Sequence, residues 1–175
     1  MKRLKTSSHG LRLWGLAVVL LLAATTLSAC GFRLRGQAAL PFESIYIETV
    51  GFSLLGAELR RAIRTGGKTR VADRPDDAEV VLRITGEQQE KHVLSLSTAG
   101  KVREFELRYR LAYRLLDRTS NDIVPPDEIT LRRDLTYDDT QVLAKESEEA
   151  LLYEDMKSDA VQQLLRRLSV VRLSS

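Results

Sequence analysis

From Glu104 to Leu115 the chain alternates between apolar and charged residues, and no other feature constrains its fold as tightly. Phe105, Leu107, Tyr109, Leu111, Tyr113 and Leu115 fall on one face, and Glu104, Glu106, Arg108, Arg110 and Arg114 on the other. Successive strand residues point to opposite faces, so this period of two specifies a strand buried on one side and wet on the other. Such a strand needs neighbours of the same pattern and a second layer over its apolar face.

The neighbours can be read along the chain. Ile45-Tyr46-Ile47-Glu48, introduced by Leu40-Pro41, is a short strand. Val80, Leu82 and Ile84 alternate with Val81, Arg83 and Thr85, and the pattern continues raggedly through Gly86 to Leu96. Ser97-Thr98-Ala99-Gly100 is a hairpin tip. Ile123-Val124-Pro125-Pro126 reads as a break in the sheet, after which Ile129, Leu131, Arg133, Leu135 and Tyr137 resume the alternation. Two segments carry the helical period instead. Ser53 is an N-cap for a helix presenting Leu55, Leu59, Ala62 and Ile63, and Gly66-Gly67 should end it with a left-handed backbone. Leu152, Met156, Ala160, Leu164 and Leu168 recur every four residues, with Val161 and Leu165 widening the stripe and Arg166, Arg167 and Arg172 suiting the helix dipole. The predicted fold is α+β: a two-layer sandwich, with a mostly antiparallel four-stranded sheet and two helices on one face, in the order β-α-β-β-β-α.

The first 29 residues belong to none of this. Lys2, Arg3, Lys5 and Arg12 form a basic start, Leu13–Leu22 is apolar, and Ala23–Ala29 turns small. The apolar run is too short for a membrane span of about 20 residues, and it reads as a signal peptide. Leu27-Ser28-Ala29-Cys30 resembles the lipobox of bacterial lipoproteins. The thiol would then carry S-diacylglycerol and the new N-terminus an N-acyl chain, enough lipid for stable anchoring where one chain is marginal. By the lipoprotein sorting rule, Gly31 in place of Asp permits transfer to the outer membrane. The expected organisation is signal peptide 1–29, lipidated tether 30–42 and folded domain 43–175.

Charge and rare residues exclude several functions. The net charge of +3 mixes two unlike segments: removing the leader's four basic residues from the 27 Lys and Arg leaves 23 against 24 acids. The body is therefore no nucleic-acid binder by bulk charge. One Cys allows no internal disulfide, and with His9 in the leader only His92 remains. Neither a zinc cluster nor a Ser/His/Asp set can be assembled with spare members. Asp76-Asp77 and Asp138-Asp139 lack calcium-loop spacing and read as turn residues.

Cys30-Gly31-Phe32-Arg33-Leu34-Arg35-Gly36, followed by Leu40-Pro41, resembles the mature N-terminus of the LptE family of lipopolysaccharide-assembly lipoproteins. The likeness continues through Leu59-Arg60-Arg61-Ala62-Ile63, the segment Gly100 to Leu111, Leu143-Ala144-Lys145-Glu146 and the end Gln163-Leu164-Leu165-Arg166-Arg167-Leu168. It implies a non-enzymatic role. Members of that family plug the large outer-membrane β-barrel LptD, help it fold, bind lipopolysaccharide and take part in its delivery to the cell surface. On this reading Lys101, Arg103 and Lys145 are the residues to meet lipid A phosphates, beside the plainer readings of solvated charge or barrel contact. Some members carry a basic residue just ahead of the hairpin Gly, where this chain has Thr98 and Ala99. Lys101 and Arg103 would supply the charge from the other side of the turn. Arg108, Arg110 and Arg114 are expected to pair across strands, with Arg132 and Asp134 as complements. Tyr109 and Tyr113 belong to the core with hydroxyls at its edge. The alternative from the residues alone is another envelope-complex lipoprotein, a secretion or peptidoglycan-associated binding module.

Overall fold

The computed structural model describes residues 39–51 and 53–172. The leader, Cys30 and the tether as far as residue 38 lie outside the described residues, as do the family-like residues Gly31 to Gly36. Strand β1 (Ser44–Glu48) leads into helix α1 (Leu54–Gly66). Ser53 caps that helix as its sequence predicts: its Oγ accepts a hydrogen bond from the Gly56 N–H at 3.2 Å, one of the donors a helix start leaves open. Leu55, Leu59 and Ile63 are buried along one face.

The end of α1 differs from expectation. Gly67 is extended, with φ −168°, and not left-handed. The chain runs straight on into a two-residue strand, β2 (Arg70–Val71), laid beside β1. The Thr69 hydroxyl donates to the Phe42 carbonyl at 2.9 Å, and the Arg70 and Ala72 N–H groups donate to the carbonyls of Glu43 and Ile45. The sheet therefore has five strands where the alternation predicts four, because two residues are too few to show a period.

Strands β3 (Val80–Leu96), β4 (Val102–Asp117) and β5 (Asp122–Thr136) follow, then helix α2 (Val142–Ser169). The sheet order is β2-β1-β3-β4-β5. β3, β4 and β5 form an antiparallel meander, whereas β1 is parallel to both β2 and β3. A parallel pair needs a crossover connection, and α1 provides it between β1 and β3.

Two bulges explain where the sequence pattern blurs. Ile84 pairs with Tyr113 and Gly86 with Ala112, so Thr85 is an extra residue. Before it the even-numbered Val80, Leu82 and Ile84 face the core; beyond it Glu87, Gln89 and Lys91 share the face of Leu111, Tyr109 and Leu107. One inserted residue inverts the parity of everything after it. The Pro pair, expected to break the sheet, lies within β5. Tyr113 pairs with Asp127 and Leu115 with Val124, leaving Pro125 and Pro126 together opposite Arg114. On an edge strand a missing N–H costs no ladder bond.

Both helices lie on the apolar face of the sheet, α1 over β1 and β2 and α2 over β4 and β5. Leu107, Tyr109, Leu111 and Leu115 are fully buried there with Leu59 of α1 and Met156, Ala160, Leu164 and Leu168 of α2. α2 is 28 residues long, about 42 Å, but its buried stripe begins only at Tyr153. Its first three turns thus accompany the far end of the meander without sealing it. β4, with 16 residues, spans about 50 Å. The base of the sheet, where Ile45 pairs with Val80 and Val80 with Asp117, is that far from the hairpin tip.

Candidate functional site

The tip is a tight, hydrogen-bonded turn. The Ser97 N–H donates to the Lys101 carbonyl at 2.7 Å, the Gly100 N–H to the Ser97 carbonyl at 2.9 Å, and the Lys101 N–H to Ser97 Oγ at 3.1 Å. Gly100 has φ +75°, the left-handed conformation that glycine adopts without steric cost. This turn places Lys101 at the far end of the sheet, where Lys101 Nζ meets Asp139 Oδ2 at 2.6 Å in the loop that leads into α2. The Tyr137 N–H donates to the Arg103 carbonyl at 2.7 Å, tying the same loop to β4.

Asp138 shapes that loop by accepting from the Thr140 N–H at 2.9 Å and the Thr140 hydroxyl at 2.8 Å. Those two hydrogen bonds, with the charges of Lys145 and Lys101 behind them, hold its carboxyl below the usual range. The Asp139 carboxylate in turn raises the Lys101 ammonium above its ordinary value, first through their hydrogen bond and then through charge. Lys145 pairs with Glu148 at 2.8 Å on its own helix. Lys101 and Lys145 are thus brought to one acidic turn. Arg103 is exposed and forms no ion pair among the described residues.

The sequence points to these three cations but gives no sign that Asp139 and Glu148 neutralise two of them. Asp138-Asp139 stands out in the sequence only as a turn. Half of that reading describes Asp138; the long-range role of Asp139 has no sequence signal, because residues 38 apart meet only through the register of β4 and β5.

The outer face of the meander is a balanced ladder of charge. Arg114 Nε donates to Asp122 Oδ1 at 2.8 Å, and Arg110 Nη2 to Glu128 Oε2 at 2.8 Å. Glu90 approaches Arg110 at 3.5 Å from β3. Arg108 pairs with Glu106, which Arg132 also approaches at 3.9 Å. Arg108 and Arg132 lie directly opposite in the register, and the shared carboxylate between them offsets their repulsion. Arg110 and Arg114 therefore pair across strands, whereas Arg108 pairs with Glu106 on its own strand. Neither predicted complement pairs with the stripe: Arg132 stands opposite Arg108 and shares Glu106 with it, and Asp122, Glu128 and Glu90 act where Asp134 was expected.

On the helix face, polar links fasten the two layers. The Tyr109 hydroxyl donates to Glu87 at 2.8 Å, and burial first, then Glu87, pushes that phenol far up. The Tyr113 hydroxyl donates to Asp127 at 2.8 Å, and Arg167 Nη1 donates to that hydroxyl at 3.3 Å, to Asp127 at 2.5 Å and to the Glu128 carbonyl at 3.1 Å. Toward the tip, Lys91 Nζ pairs with Glu149 at 2.5 Å and sits 4.2 Å from the Phe105 ring centroid, beside an edge-on Phe105–Tyr137 pair. Among the described residues no helix is long and apolar enough to cross a membrane.

With this geometry in hand, the comparisons agree with one another. The profile of the LptE family, described as lipopolysaccharide-assembly, matches residues 42–168. The chain is 29% identical to the LPS-assembly lipoprotein LptE of Yersinia enterocolitica, over 89% of its own length and 76% of that protein's. Among solved structures it resembles the lipoprotein B of Nitrosomonas europaea, 46% identical with TM-score 0.70, covering 79% of this chain and 90% of that one. It also resembles the rare lipoprotein B of Shewanella oneidensis, 26% identical with TM-score 0.64, covering 72% and 93%. The order of elements, the long meander under two helices and the family profile spanning nearly all the described residues lead to one assignment: the chain belongs to the LptE family of lipopolysaccharide-assembly lipoproteins, non-enzymatic accessory proteins of the envelope.

Proposed function

We propose that this protein is the plug and assembly partner of an LptD-type outer-membrane β-barrel and binds lipopolysaccharide on its way to the outer leaflet. The family match across residues 42–168 carries the reading. The folded domain supports it: a meander about 50 Å long, with a wet face on which Arg108, Arg110, Arg114 and Arg132 are each met by a carboxylate. Such a face suits the polar, water-filled interior of a barrel better than it suits lipid.

On this proposal Cys30 carries the N-acyl and S-diacylglycerol lipids and holds the protein at the outer membrane. Residue 39 enters the domain at the base of the sheet, and the cationic tip stands at the opposite end. Lys101, Arg103 and Lys145 at the tip compete with the divalent cations that bridge lipid A phosphates. Occupying the lumen buries polar surface on both partners and keeps the barrel from closing wrongly.

The test is to purify the tagged full-length lipoprotein from detergent-solubilised outer membranes. A large β-barrel recovered in stoichiometric amount supports the plug role; recovery of the lipoprotein alone refutes it. Lipid recognition is tested separately by reversing Lys101, Arg103 and Lys145 to Glu. Unchanged lipopolysaccharide binding by the folded triple variant would remove those residues from the reading.

A further inference from the structure

The described residues expose nine large hydrophobic side chains, and five of them, Val93, Leu94, Leu96, Val142 and Leu143, sit at the hairpin-tip end of the sheet. Single exposed aliphatics are ordinary; a cluster at one end is not. The reason for their exposure is topological. β1 pairs with β3 only as far as Arg83, so beyond the Thr85 bulge β3 is an unpaired edge. α1 covers the base, and the buried stripe of α2 begins only at Tyr153, so neither helix buries the last residues of β3. Val93, Leu94 and Leu96 are each at least half exposed as a result.

The cations are interleaved with these aliphatics. Val93 pairs with Phe105, Ser95 with Glu104 and Leu96 with Val102, so Leu94 on β3 and Arg103 on β4 are both left out of the ladder at adjoining steps. Paired irregularities re-aim the side chains they carry. They set a bulged leucine, two residues from Leu96, at the step adjoining a bulged arginine, two residues from Lys101. The patch is aliphatic, with the basic residues Lys101 and Arg103 at its margin. That combination is what an anionic head with hydrocarbon tails would recognise.

We propose that the hairpin tip is an amphiphile-binding surface in which Val93, Leu94 and Leu96 receive acyl chains of the lipid whose phosphates meet Arg103 and Lys101. The inference rests on the lipopolysaccharide-binding reading above and adds the apolar half of the site. Recognition is then of an acylated phosphoglycolipid as one unit, and the phosphorylated sugar alone is a weaker ligand.

The experiment compares the full-length protein with a Val93→Thr, Leu94→Asn, Leu96→Asn variant in the same mild detergent. Each is titrated with intact lipopolysaccharide and with its fully deacylated, still phosphorylated core. Circular dichroism checks the fold, and a Leu94→Asn single variant serves as a milder control. Wild type should bind the intact lipid about tenfold tighter than the deacylated core, and the triple variant should lose that preference while binding the core unchanged. If wild type binds both ligands equally, the apolar subsite is overturned and phosphate recognition stands. If wild type binds neither, both readings fall. If the variant keeps the preference but no longer co-purifies with the barrel, the patch belongs to a protein wall and the inference is wrong.

Discussion

Replacing Arg167 by Ala should lower the thermal midpoint of the protein by about 6 °C at neutral pH. The guanidinium reaches from the last turn of α2 to three acceptors on β4 and β5: the Tyr113 hydroxyl, the Asp127 carboxylate and the Glu128 carbonyl. Hydrogen bonds to charged groups contribute about 1.5–3 kcal/mol each when well sheltered. Here the Arg167 and Asp127 side chains are 43% and 47% exposed, and water can replace much of what is lost. A net cost of about 1.5 kcal/mol follows, and for a domain of this size 1 kcal/mol moves the midpoint by about 4 °C. Tyr113→Phe removes the central hydroxyl at a cost of about 1 kcal/mol. The two changes share Asp127, so the double variant should fall short of additivity by about 0.5–1 kcal/mol.

The same cycle has a pH arm. Burial pushes the Asp127 carboxyl up, but the Tyr113 hydroxyl, the Glu128 N–H and Arg167 together outweigh it and hold it below the usual value. A carboxyl depressed in the folded state contributes stability above its unfolded pKa of about 3.9, and loses it as pH falls through the folded value. The gap between wild type and Arg167→Ala should therefore narrow below about pH 4. Thermal unfolding followed by circular dichroism across pH 3–7 reads both arms. A midpoint within about 1 °C of wild type at pH 7, or strict additivity, would refute the clamp.

Gly100→Ala should cost about 1–2 kcal/mol, since its φ of +75° is a left-handed conformation that a Cβ disfavours. Its built Cβ meets nothing within 4 Å, so denaturant melts should report a backbone cost with no repacking. Changing Pro125-Pro126 to Thr-Thr should leave the fold intact yet open the β5 edge, and light scattering should show new concentration-dependent self-association. Asp139→Asn should free Lys101 and strengthen binding to the phosphates of lipopolysaccharide by about two- to fivefold, read by titration. Unchanged affinity would show that the Lys101–Asp139 pair does not compete with phosphate.

Much of the architecture was determined by local pattern. The alternation from Phe105 to Leu115, the four-residue recurrence from Leu152 to Leu168 and the Ser53 cap each specify an element through contacts made within a few residues. The basic start, apolar core and lipobox-like Leu27-Ser28-Ala29-Cys30 are likewise a local pattern, read as an export signal and lying outside the described residues. The candidate cations could also be read from the sequence as residue types near a turn.

Only the tertiary structure decided what those residues meet. A two-residue strand has no period, so β2 became visible only where its backbone found β1. The Thr85 bulge moves Glu87, Gln89 and Lys91 onto the helix face, a shift that depends on the partner strand's register and not on the residues themselves. Pro125 and Pro126 sit inside β5 because that strand is an edge, a property of the whole sheet. Lys101 and Asp139, or Arg167 and Asp127, are far apart along the chain, and hydrogen-bond geometry permits each pair only once strand register and helix docking bring them within about 3 Å. Periodicity reports which face of an element is buried; it carries no information about which element lies opposite, and the counter-charges of this protein are set at that level.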